Sequence, residues 1–200
     1  MKKSFLLLVS IIVLMATTAC GITKNSSTYV EPAHFTKSEQ DLMELISANS
    51  NYHFFDFAAQ KEFDNMEITM YKLVENNWKV SSFEQYSLEG STSSTGRIAL
   101  QFDKLSDGYQ TGIQSNKIRG TTNFIPEEEV DTTDMGIYTS TLSERTNFVA
   151  EEEIPLAIQI ITSKDGVSSY NVEQFQHPDI YAKHNYEHIY AITVRFHEKV

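Results

Sequence analysis

The chain predicts a mainly β fold: a single antiparallel β-sandwich of about eight to ten strands, with one N-terminal helix and one short helix before the last strand. Three observations carry that expectation. From Tyr52 onward, apolar and polar residues alternate with period two in short runs, as half-buried strands require. Turn-forming residues recur between the runs, at Asn76-Asn77, Ser106-Asp107-Gly108 and Lys164-Asp165-Gly166. No long helical pattern alternates with the strands, which favours an antiparallel sandwich over a parallel βαβ sheet and leaves a closed barrel as the alternative.

The first element is a signal segment. Lys2 and Lys3 form a positive start, Phe5 to Met15 an apolar stretch, and Ala16-Thr17-Thr18-Ala19 a small-residue run that closes at Cys20, the only cysteine. This arrangement resembles a bacterial lipoprotein signal peptide. The resemblance implies that residues 1–19 are removed and that Cys20 becomes the acylated first residue, anchoring the protein at the extracytoplasmic face of the cell membrane. Thr17 with Ala19 also suits ordinary signal peptidase, which would release a soluble protein. The apolar stretch of about a dozen residues falls short of the roughly 20 that a spanning helix needs. With no second cysteine the domain has no disulfides, and a mature chain of about 180 residues can bury roughly 70% of its unfolded surface without them.

Sixteen Lys and Arg, less Lys2 and Lys3, leave fourteen cations against 27 Asp and Glu in the mature chain, a formal charge of −13. The cations are scattered singly apart from Lys117-Ile118-Arg119, so nucleic acid is excluded as a partner, since phosphate binding needs clustered basic residues. An anionic bilayer would repel such a domain, and membrane attachment therefore falls to the acyl chains.

Residues 20–35 are polar, with Asn25-Ser26-Ser27-Thr28 and Pro32, and are assigned to the lipidated cysteine and a flexible tether. The sandwich domain is assigned to 36–200. Thr36-Lys37-Ser38-Glu39 has capping-box spacing, and Leu42, Leu45 and Ile46 follow as one narrow apolar stripe, which predicts a short helix packed across a sheet or plugging one end and ending near 48–51. Strands are predicted over 52–58, 66–75, 78–86, 96–103, 109–115, 117–124, 137–142, 154–163, 167–174 and 186–197. A short helix falls between Phe175 and His184, with Pro178 in its first turn and Asn185 ending it in the left-handed conformation. The last strand is apolar on both faces at its centre and belongs inside a sheet.

Few constellations carry chemistry. His184-Asn185-Tyr186-Glu187-His188 matches the H-x-x-E-H spacing of a zinc protease, but Asn185 breaks the helix that such a motif needs, and His188 reads as a strand residue. His177, His184 and His188 form a looser metal candidate. Thr122 to Val130 and Thr146 to Ile154 resemble each other, each carrying a Glu triplet: either two similar acidic junctions, or a duplicated acidic lip that with Asp131 and Asp134 could take calcium. No P-loop, G-x-S-x-G elbow or thiol nucleophile is present, no metal site is assigned and no cofactor is implied. Ten Tyr, twelve Phe and Trp78 are mostly core, though exposed rings could stack on sugars.

The expected function is a lipid-anchored, extracytoplasmic binding or envelope-accessory lipoprotein without catalytic activity, whose partners are the membrane through Cys20 and an envelope protein or glycan. The alternatives are a cell-envelope glycan or peptidoglycan hydrolase and a calcium-dependent adhesion module.

Overall fold

The computed structural model describes residues 28–46, 51–59, 63–88, 94–116, 118–127, 129–168 and 171–198. Their strands are β1 (Tyr29–Pro32), β2 (Tyr52–Ala59), β3 (Phe63–Val74), β4 (Asn77–Ser87), β5 (Ser94–Gln101), β6 (Tyr109–Ser115), β7 (Arg119–Phe124), β8 (Gly136–Thr141), β9 (Thr146–Asn147), β10 (Ile154–Thr162) and β11 (His188–Glu198). Two helices, α1 (Lys37–Ile46) and α2 (Asp179–Ala182), and two 3₁₀ turns complete them. The strands form two antiparallel sheets, ordered β7-β6-β5-β2-β1-β9 in sheet A and β4-β3-β11-β10-β8 in sheet B. The fold is the predicted sandwich.

Alternation explains the core. Phe55 and Phe57 of β2, Ile98 and Leu100 of β5 and Ile113 of β6 point inward from sheet A, meeting Met66, Ile68 and Met70 of β3 and Ile192, Val194 and Phe196 of β11. Phe57 and Phe196 touch across the two sheets, ring centres 5.5 Å apart. Phe196 also stacks on Phe148 at 4.6 Å and meets Phe63 edge-on at 5.6 Å, closing one end of the sandwich. Gly96 is required by this packing, because a Cβ there would lie 2.7 Å from the Phe57 ring and 2.5 Å from the Gln114 carbonyl. Polar ties cross between the sheets as well: Ser82 with the Tyr109 hydroxyl at 3.0 Å, and Tyr86 with Thr111 at 2.7 Å.

β11 sits between β3 and β10, as its two apolar faces predict. Glu75 and Asn76, with φ 49° and 64°, make the two-residue turn between β3 and β4, one residue earlier than the Asn-Asn pair suggested. Asn185 has φ 48° just beyond α2, as expected of a left-handed stop.

Three expectations are corrected, and one short strand is not foreseen by the sequence. Tyr29–Pro32, assigned to the tether, is a strand paired with β2 and β9, and Val30 is fully buried. One inward side chain in four residues gives no readable period. The two-residue β9 is likewise too short to detect. The strand expected over 167–174 is instead a 3₁₀ turn at Val172–Gln176: Val172 and Phe175, three apart, fall on one side of such a turn and are both buried. Finally, α1 has its capping box, with the Thr36 N–H donating to Glu39 Oε2 at 2.7 Å and the Glu39 N–H to Thr36 Oγ1 at 3.3 Å. Its leucine stripe is not packed, however. Leu42 is 57% and Leu45 81% exposed, and the helix is tied down instead by Glu39 on Arg97 at 3.2 Å. Arg97 is held in turn by Asp56 at 2.6 Å.

Candidate functional site

The Val172–Gln176 turn and α2 cover much of the outer face of sheet B. Phe175 stacks on Trp78 at 5.0 Å and accepts a hydrogen bond from its indole N–H at 2.9 Å, and Tyr181 packs edge-on to the same indole. Trp78 is thereby spent on packing rather than offered as a stacking platform. The outer face of sheet A differs, because along β5, β6 and β7 it carries small and amide side chains in register.

The pairing Tyr52–Gln101–Gln110–Asn123 runs across four strands as one row. The next row is Phe54–Ala99–Gly112–Thr121, and the third Asp56–Arg97–Gln114–Arg119. Over the Gln101–Gln110–Asn123 part of the first row, with Tyr52 flanking it on β2, lies a depression of about 580 Å³ whose walls also include Asn51, Asp103 and Asp107. A second depression of about 720 Å³, lined by Lys104, Glu127, Glu129 and Asp131 among others, shares Asp107 and Ile125 with the first. The two make one cleft at the end of the sandwich away from Phe148.

The cleft is built on a fixed support. Gln159 of β10 is fully buried; its Oε1 accepts from the Leu105 N–H at 2.7 Å, while its Nε2 donates to the Asp103 carbonyl at 2.9 Å and Thr139 Oγ1 at 3.0 Å. These bonds pin the β5–β6 connection to sheet B, where each buried polar group left unmade would cost roughly 1–3 kcal/mol. Gly108 then turns the chain into β6 at φ 112°, and a Cβ there would lie 2.3 Å from the Phe124 carbonyl. Only glycine allows that approach. On the cleft's surface Asn51 Nδ2 donates to Asp103 at 2.8 Å, Gln110 Nε2 to Asn123 Oδ1 at 2.7 Å, and Lys104 Nζ to Thr132 at 2.9 Å. Bonds from the Thr133 side chain and backbone hold the Asp131 carboxyl below its ordinary range. That is the direction opposite to what a general acid requires.

The candidates singled out on sequence are dispersed. Glu127 and Glu129 line the cleft, whereas Glu151 and Glu153 are bound to sheet B, Glu153 by Arg195 at 2.6 Å and by the Tyr71 hydroxyl, Glu151 by His197 at 2.9 Å. Arg195 lies five residues along β11 from Tyr190, the partner of Gln159, and so about 17 Å from the cleft's support. The two triplets form no common lip. His188 opens β11 opposite Ile161, and the His184 ring stacks on Tyr186 at 5.4 Å. Glu187 is occupied by the Ser163 hydroxyl at 2.5 Å and by Thr162. Among the described residues no three His, Cys, Asp or Glu side chains converge as a metal site would require, and no helix is long and apolar enough to cross a membrane. Cys20 lies outside the described residues.

Sequence reasoning passed over Gln101, Gln110, Asn123 and Tyr52. A signal existed: the solvent positions of β6 read Gln110, Gly112, Gln114, where an ordinary exposed strand face carries charged or β-branched residues. No family model, no curated protein and no solved structure matches this chain.

Proposed function

We propose that the chain is a lipid-anchored, extracytoplasmic binding module without catalytic activity. In this reading residues 1–19 are a signal peptide, Cys20 carries the acyl chains, and the segment up to Thr28 links anchor to sandwich. The observation that carries the binding role is the open, amide-lined cleft and sheet face held on a fixed support. Concave surfaces with a few converging polar groups are where small ligands and polymers bind, and rigid support lowers the entropic cost of binding. The acidic balance of the mature chain favours neutral or cationic partners, and the lipoprotein-like sequence from Lys2 to Cys20 supports the location.

Fractionation tests the anchor. Cys20→Ala should shift the protein from the membrane fraction to the medium, or leave it as unprocessed precursor; normal processing with continued membrane attachment overturns the lipoprotein reading. Incubation of the detergent-solubilised protein with washed cell envelope tests the role. Retention on the envelope with no release of soluble fragments is expected, whereas release of reducing sugars or muropeptides would establish the hydrolase instead.

A further inference from the structure

We propose, resting on the binding-module reading, that the outer face of sheet A is a site for an uncharged polysaccharide, with Tyr52 as its stacking ring and Gln101, Gln110 and Asn123 as the groups that read its hydroxyls. The four residues occupy one row across adjacent strands spaced about 4.8 Å apart, so the row spans about 14 Å, long enough for more than one pyranose ring. At one end, Tyr52 lies in a stacked pair with Phe54, ring centres 5.8 Å apart and planes 23° from parallel. Phe54 is held edge-on by Phe35 at 5.2 Å, which buttresses the aromatic strip on the same face, next to Arg97. A sugar presents C–H groups on its ring faces and hydroxyls at its rim. The strip suits the faces, and the amides suit the rim, because an amide side chain both donates and accepts hydrogen bonds as a hydroxyl does. The Gln110–Asn123 bond orients that pair in advance, while the Asn123 NH₂ and Gln110 Oε1 take no part in it.

The floor makes the second argument. Gly112 stands in the middle of β6, its φ is not positive, and a Cβ there would meet Ala99 Cβ at 3.5 Å, an ordinary contact. Neither backbone conformation nor crowding explains a glycine that weakens the strand. Glycine within a strand often marks the close approach of a ligand, and Gly112 with Ala99 beside it leaves the row next to the amides, between Phe54 and Thr121, without a large side chain to obstruct a polymer lying on the face.

Charge selects among polymers. The described residues lining the depression include the carboxylates of Asp103 and Asp107 and no Lys or Arg. Lys104 lines the adjoining depression, where it donates to Thr132 at 2.9 Å beside Glu127, Glu129 and Asp131, and the cations of the sheet face, Arg97 and Arg119, stand two rows away, with Arg97 committed to Asp56. A polymer bearing phosphate or carboxylate would therefore meet like charge at the row, whereas an uncharged one pays no such penalty.

Affinity electrophoresis of the detergent-solubilised full chain tests this, using gels that contain soluble β-glucan, α-glucan, mannan, galactan or, as the anionic comparison, alginate. At least one uncharged polysaccharide should retard the protein, and alginate should not. Tyr52→Ala should weaken that retardation at least tenfold. Gly112→Val should do the same by obstructing that row while leaving the melting temperature equal or higher, which separates loss of the site from loss of the fold. Gln85→Ala, on the exposed outer face of sheet B, should change nothing. The site is overturned if no uncharged polysaccharide retards the wild type, if alginate alone does, or if both site variants bind as the wild type does. Retention of the wild type on washed envelope, undiminished in both variants, would leave a binding module acting through another surface; absence of retention on envelope and on every polysaccharide would remove both readings.

Discussion

Glu187 shows how much a single side chain can depend on its neighbours. Hydroxyl donation from Ser163 and Thr162 lowers its pKa from 4.5 to about 2, although the residue itself is exposed. The folded state therefore binds the proton less readily than the unfolded chain. The resulting stability is present above the unfolded value of 4.5 and is lost as pH falls towards 2. Melting curves between pH 5 and about 2 should show the wild type losing stability more steeply than Glu187→Gln, with solvent screening keeping the difference small. Identical slopes would show that the Ser163 and Thr162 bonds do not persist in solution. No sequence pattern points to this carboxylate as an anchor of the β10–β11 connection, because its partners lie 24 and 25 residues away. Gly108 is the opposite case, a turn residue visible in Ser106-Asp107-Gly108 and confirmed at φ 112°.

At the scale of elements, strength of periodicity decided what could be read. β11 and β10, nine or more residues long with apolar centres, are legible from their sequence alone. β1 did not, yet it lies between β2 and β9 and buries Val30. A chain beginning at Ala33 should melt roughly 5–10 °C or more below one beginning at Thr28. It loses the burial of Val30, about 1.5–3 kcal/mol, and uncovers the edge of β2. Equal melting temperatures would show β1 to be dispensable. The α1 stripe misled for a related reason: an apolar spacing identifies a helix face, while the partner for that face comes from elsewhere in the chain. Here the sheet offers Arg97, so Glu39 docks and Leu42 and Leu45 remain exposed.

At the scale of the whole molecule, the described residues of the two acidic triplets lie on separate parts of the fold rather than gathered in one lip. Glu151 and Glu153 tie the β9–β10 connection to β11, and Glu127, Glu129 and Asp131 line a cleft into which Lys104 also projects. Dialysis against chelator should leave the melting temperature unchanged. An ion held at a hundred times its dissociation constant would contribute about 2.7 kcal/mol, several degrees for a domain of this size. A drop reversed by calcium would reinstate the adhesion alternative, and one reversed only by zinc would point to the histidines.

The sandwich, the central place of the last strand, the capped start of α1 and the left-handed stop at Asn185 are all legible in the amino-acid order, because each follows from contacts within a few residues or from a period of two. Tertiary structure alone decided which strands neighbour one another, that Tyr29–Pro32 joins a sheet, that Trp78 is covered by Phe175, and that Tyr52, Gln101, Gln110 and Asn123 line up. Alternation tells which way a side chain faces, not which strand lies beside it. A row across four strands joins residues 71 positions apart from Tyr52 to Asn123, and only register can align them.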